Sequence, residues 1–160
     1  MVTTPDARMR TLSRPLLTCL LLLLLSLLGG CKSFTAQAPN GFATYDKGGA
    51  FRAVSPDGVI YRVRDEKNKP QAELAFWKEA LKKRMLDAGY RFVAESDVKA
   101  GDASGYLLEL NAPQGSQDYT YLTALFVEGD RLVIVESAGE VTRFKARRDV
   151  VMEAIGKITF

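Results

Sequence analysis

The chain has 160 residues, 47% of them hydrophobic, with 22 basic and 19 acidic side chains. It has no histidine and only two cysteines, Cys19 and Cys31, which excludes Ser-His-Asp and Cys-His catalysis as usually built, and zinc sites built on histidine. Residues 1–30 hold three arginines and one aspartate, so the rest carries 19 bases against 18 acids and lacks the basic excess that marks nucleic-acid binding.

Arg8, Arg10 and Arg14 precede an almost unbroken apolar run from Leu16 to Leu28, followed by Gly29, Gly30 and Cys31. The run fits the apolar region of a secretory signal, roughly 7–15 residues, and is too short for a spanning helix of about 20. A basic start, an apolar run, small residues and a cysteine resemble the signal of bacterial lipoproteins, whose lipobox ends in this way. The resemblance implies that 1–30 is a signal peptide and that Cys31 is the lipid attachment site. Covalent lipid is then the only prosthetic group expected. Each buried CH₂ of an acyl chain contributes about 0.8 kcal/mol, and more than one chain is needed for stable anchoring. Lys32, where an aspartate would signal retention, resembles the pattern of outer-membrane lipoproteins facing the periplasm, with the inner membrane left open. Ala36-Gln37-Ala38 offers a rival cleavage site, but Pro39 follows it and the apolar run ends well upstream. Cys19 leaves with the signal, so no disulfide forms within the mature chain.

Residues 31–49 read as a flexible tether, since Lys32 to Gly41 is small and polar apart from Phe34. Residues 50–160 suffice for one domain with a single core. Phe51 to Val54, the turn Ser55-Pro56-Asp57-Gly58 and the alternating Val59 to Arg64 predict a hairpin. A helix is predicted over 69–88, capped by Asn68 and ended by Gly89, with Leu74, Trp77, Leu81 and Met85 on its apolar face. Strands follow over 90–95, 106–110, 119–127, 132–137 and 140–144, with 96–105 and 111–118 as polar loops and Gly129-Asp130 as a tight reversal. A last helix over 146–158 carries Val150, Val151, Ala154, Ile155 and Ile158 on one side. The fold class is α+β: a mainly antiparallel sheet of about six strands covered by two helices as an α/β/α sandwich.

Phe51 through Asp57-Gly58, Ala88-Gly89-Tyr90, Asp118-Tyr119-Thr120-Tyr121 with Leu125-Phe126-Val127, Ile134 through Gly139, and Ile158-Thr159-Phe160 resemble the PsbP-like, DcrB-like fold over residues 42–160. That family implies assembly and binding roles and carries no common catalytic residues.

The sequence holds weak chemical signals. Lys82-Lys83-Arg84 reads as a solvated helix face. Arg143, Lys145, Arg147 and Arg148 form a denser basic cluster. Tyr119 and Tyr121 share one strand face. Tyr119, Tyr121, Arg143, Arg147 and Arg148 are therefore the candidate partner contacts. Asp97 and Asp102 lack the spacing of a calcium loop. Glu109 and Glu136 are two strand carboxylates, and Ser116 lacks a nucleophile elbow. Trp77, Phe76, Tyr90, Phe92 and Phe126 read as core. No catalytic residue, metal or cofactor site is assigned. The function expected is that of a membrane-anchored, non-catalytic envelope lipoprotein with an envelope protein partner. The alternative is a small-ligand or lipid-binding lipoprotein, with a hydrolase lacking histidine as a third class.

Overall fold

The computed structural model describes residues 34–45, 48–114 and 117–160, all within one compact unit. Its centre is a seven-stranded sheet, one strand more than expected, in which every neighbouring pair is antiparallel. The strands are β1 (Ala43–Thr44), β2 (Phe51–Val54), β3 (Ile60–Lys67), β4 (Arg91–Ala100), β5 (Ala103–Gln114), β6 (Gln117–Glu128) and β7 (Arg131–Glu140). Their spatial order is β1-β2-β3-β7-β6-β5-β4. The helices are α1 (Leu74–Asp87) and α2 (Val141–Gly156).

The β2–β3 hairpin turns as the sequence predicts. Gly58 sits at φ +86°, a left-handed conformation that costs glycine nothing, and Ser55 takes the Val59 N–H on its hydroxyl at 2.9 Å. From β4 onward the strands outrun the prediction. The polar stretch 96–105 continues β4, because Val98 and Ala100 point into the core while the residues between them face solvent on an edge strand. The reversal shrinks to Gly101-Asp102, and the expected 111–118 loop is largely paired strand. The strand expected over 140–144 is instead the first turn of α2. Glu140 accepts from the N–H groups of Thr142 and Arg143, which satisfies donors that a helix start leaves open. Those two bonds hold its carboxyl below the usual range.

The first helix begins later than predicted, at Leu74. Asn68 does not cap it. Asn68 is 5% exposed and joins three places: Oδ1 accepts from Ala72 N and Trp77 Nε1, while Nδ2 donates to the carbonyls of Ala72 and Gly129. The N-terminal side differs as well. Residues 34–45, expected to be a loose tether, belong to the globular unit: Thr35 pairs with Thr159 through two backbone hydrogen bonds, and Phe34, Ala36, Ala38 and Phe42 pack on the core.

The two sheet faces are covered unequally. On one, α2 buries Phe144, Val151, Ala154 and Ile155 against Leu107, Leu122, Phe126 and Val135. On the other, α1 has no buried residue and rests on Tyr106, Leu108 and Leu110 through Leu74, Leu81 and Met85. Of the aromatics expected in the core, Phe126 is buried, Trp77 and Tyr90 are half-buried, and Phe76 and Phe92 are exposed. The unused half of that face becomes the site described below.

Gly105 of β5 faces Phe126 of β6, and a Cβ there would lie 2.5 Å from the ring and 2.7 Å from the Leu125 carbonyl oxygen. Gly105→Ala is expected to destabilise the fold by about 1–3 kcal/mol, the cost of overpacking, read as a lower denaturation midpoint at unchanged slope.

Candidate functional site

Alternation in β3 places Tyr61 and Val63 on the α2 face and Arg62, Arg64 and Glu66 on the α1 face. In β7 the same alternation puts Ile134 and Glu136 on the α1 face, and in β6 it puts Tyr121, Thr123 and Leu125 there. The strand register lines up Arg62, Glu136 and Thr123 in one row across β3, β7 and β6. Because α1 packs mainly on β5 and β6, Glu136 and Thr123 of this row lie at the bottom of an open groove between α1 and the sheet, with Arg62 beside its lining. Its volume is about 360 Å³, inside the range of ligand clefts, roughly 300–1,000 Å³.

The helix side of the groove is supplied by Trp77, Ala80, Leu81, Arg84 and Met85, and its sheet side adds Leu125, Leu132 and Ile134 to the polar row. Glu136 is the polar centre. Its Oε1 accepts from the Tyr121 hydroxyl at 2.8 Å, and its Oε2 accepts from Arg64 Nε at 3.1 Å and Arg62 Nη1 at 3.3 Å. Arg64 also pairs with Glu66. The Tyr90 and Tyr121 rings meet at 5.3 Å. Burial, followed by the charge of Glu136, pushes the Tyr121 phenol well above its ordinary value. The hydroxyl of Thr123, 1% exposed on the groove floor, has no partner among the described residues. Arg84 has no ion pair or side-chain hydrogen bond among them either.

The helix is held off-centre by contacts on its far side. Lys82 donates to Glu95 at 3.0 Å, and Glu95 accepts the Tyr106 hydroxyl. Lys78 lies over the Tyr106 ring and Lys82 over Phe92. The Tyr106 bond, with Lys82 second, keeps the Glu95 carboxyl below its usual range.

The residues singled out from the sequence are divided by the sheet. Tyr121 enters the groove and Tyr119 precedes it on the same face near the start of β6. Arg143, Arg147 and Arg148 stand on α2, across the sheet, and each has an intramolecular partner. Arg143 donates to the Asp57 carbonyl, Arg147 to the Asp57 carboxylate and Arg148 to Glu109. The Ser55 hydroxyl, more than Arg147, lowers the Asp57 pKa. Glu109 and Glu136 occupy opposite faces, so they form no acid–base pair. Among the described residues no cluster of three metal-binding side chains occurs, and no helix is long and apolar enough to cross a membrane. Cys31 and Ser116 lie outside the described residues. The groove residues Arg64 and Thr123, and Arg62 beside them, escaped the sequence reading. The available signal was Glu136 at the end of the apolar run Leu132–Val135, since a carboxylate in a central strand needs a donor across the sheet.

No protein-family model matches the sequence, and no curated protein matches it. Solved structures share the fold. LpqN of Mycobacterium tuberculosis, involved in cell envelope biogenesis, aligns with TM-score 0.66 and 11% identity over 82% of this chain and 84% of its own. Cyanobacterial PsbP from Synechocystis aligns with TM-score 0.55 and 12% identity over 83% and 98%. A Pseudomonas aeruginosa protein of unknown function, described as a putative regulator, aligns with TM-score 0.59 and 8% identity over 76% and 98%. At such identities the likeness is one of fold, and the fold is PsbP-like α+β. None of the three is named as an enzyme.

Tyr121→Phe is expected to cost about 1–2 kcal/mol, since it removes a hydrogen bond to a charged group that keeps two other donors. A phenol whose pKa is raised by folding contributes stability that is complete below the ordinary tyrosine range, near about 10, and lost as pH climbs through the folded value. The variant should therefore lose stability less steeply above that range, as followed by denaturation at increasing alkaline pH.

Proposed function

We propose that this chain is a membrane-anchored accessory module of the bacterial cell envelope, one that binds a small ligand or lipid in the groove and performs no chemistry on it. The observation that carries this reading is the groove itself: concave, mostly apolar, with a few converging polar groups, which is the usual build of a ligand site. Its polar groups are arranged for holding. Glu136 is held by three donors. The Tyr121 phenol is made less acidic rather than more, the opposite of an activated nucleophile. The fold shared with LpqN, an envelope-biogenesis protein, and the lipobox-like order before Cys31 support an envelope location, and Lys32 after Cys31 favours the outer membrane facing the periplasm.

A second reading, contact with an envelope protein, is favoured by the exposed apolar side chains where α1 ends and β4 begins. Leu86, Phe92 and Val93 are 41%, 48% and 46% exposed, and β4 is an edge strand, the kind of element that accepts another chain.

Two measurements test these readings in cells. Cys31→Ala should abolish labelling by an alkyne palmitate analogue and release the protein from the membrane fraction; label that persists removes the anchor. A photo-crosslinking amino acid at Ala80 should yield adducts of small-molecule mass. If adducts form only from a crosslinker at Phe92, and with protein, the second reading replaces the first.

A further inference from the structure

We infer that the groove between α1 and the β3–β7–β6 surface takes a single-chain amphiphile with an anionic head group, an assignment that rests on the groove being the binding site. Three features argue for this occupant. The first is charge. Around the polar row, Arg62, Arg64, Glu66 and Glu136 form a connected set in which two cations meet two anions. Arg84 on the helix side is the remaining charge lining the groove, and its guanidinium is unpartnered among the described residues. The charges of the lining itself balance, Arg64 and Arg84 against Glu66 and Glu136, so the attraction is local, at the exposed and unpaired guanidinium of Arg84. An anionic head is attracted there, and a planar guanidinium offers a carboxylate or phosphate two parallel donors.

The second feature is the orphan on the floor. Thr123 is 1% exposed, lines the groove and has a hydroxyl without a partner among the described residues. A buried unpaired hydroxyl is destabilising, and a carboxylate or phosphate head, having more than one oxygen, can accept from it as well as from Arg84. The third is the shape and softness of the apolar wall. Leu81 and Met85 on the helix face Leu132 and Ile134 on the sheet. No residue of α1 is buried, so the helix can shift to admit a chain, and methionine adapts to irregular contents. A flexible alkyl chain can lie along such a seam.

The experiment uses membranes from cells producing the full chain. They are irradiated with a photoactivatable fatty acid bearing a free carboxylate, and in parallel with an analogue of equal chain length bearing a trimethylammonium head. The carboxylate probe is expected to label peptides from 74–87 and 131–140, and excess dodecanoate should compete while dodecyltrimethylammonium should not. Arg84→Glu should reduce that labelling about tenfold, the scale of one charge-assisted contact. Arg84 is exposed but sits in the last turn of α1, where a cation suits the helix dipole, so this variant should still melt cooperatively with a midpoint lowered by only a few degrees. Ala80→Trp, which fills the groove, should reduce labelling by both probes. Equal labelling by the two heads, labelling confined to peptides outside the groove, or labelling untouched by Arg84→Glu each overturns the inference. If carboxylate labelling fails while the crosslinker at Ala80 still captures a small molecule, the groove remains a ligand site and only the anionic-amphiphile assignment falls.

Discussion

One carboxylate organises the open face of this protein. Glu136 draws donors from two other strands, Arg62 and Arg64 on β3 and Tyr121 on β6, onto its own strand β7. Stripped of these partners, an ionised carboxylate at 17% exposure would be costly in the middle of a sheet. Held by them, it joins three strands side by side where no helix covers the surface. The polarity of that row is also what prevents α1 from spreading across it. A helix with an apolar stripe gains nothing by covering charges already satisfied by one another.

The two faces consequently do different work. The α2 face is a closed core in which Phe144, Val151, Ile155 and Ile158 are all essentially inaccessible, and it accounts for most of the apolar burial. The α1 face has a small apolar cluster at one side and an open seam at the other. Stability is concentrated on one side of the sheet and adaptability on the other, as expected where binding surfaces are drawn from the less strongly held parts of a fold. Asn68 ties the start of this looser layer to the β6–β7 turn through the Gly129 carbonyl and the Trp77 indole, so the helix is fastened at its leading end as well as by its contacts with β4 and β5.

Much of this architecture was legible in the sequence because the relevant forces are local. The β2–β3 hairpin follows from Pro56 and Gly58, the end of α1 from Gly89, and the apolar side of α2 from its spacing. What escaped was decided by neighbours distant in the chain. Ser96, Asp97 and Lys99 look like loop residues until β4 is known to be an edge, where solvent takes their side chains. Val141 and Thr142 favour strands by propensity, yet the Glu140 carboxylate starts a helix over them. The groove was hidden for the same reason. Arg62, Thr123 and Glu136 are separated by 61 and 13 positions and meet only through strand register. Even the basic cluster on α2, conspicuous in the sequence, turns out to be occupied with Asp57 and Glu109.

The strand order carries a consequence for biosynthesis. From β5 to β7 each strand pairs with the one made immediately before it, so that meander can zip as it is extruded. The β2–β3 hairpin is made earlier, yet its only other neighbour in the sheet apart from short β1 is β7, whose first paired residue, Arg131, lies 64 positions beyond Lys67. An early hairpin must therefore wait, its inner edge unpaired, until nearly the whole polypeptide exists, and closing so long a loop is the slow kind of step in folding. Ribosome or translocon, whichever delivers the chain, hands over a first-made piece that only the last-made strand can complete.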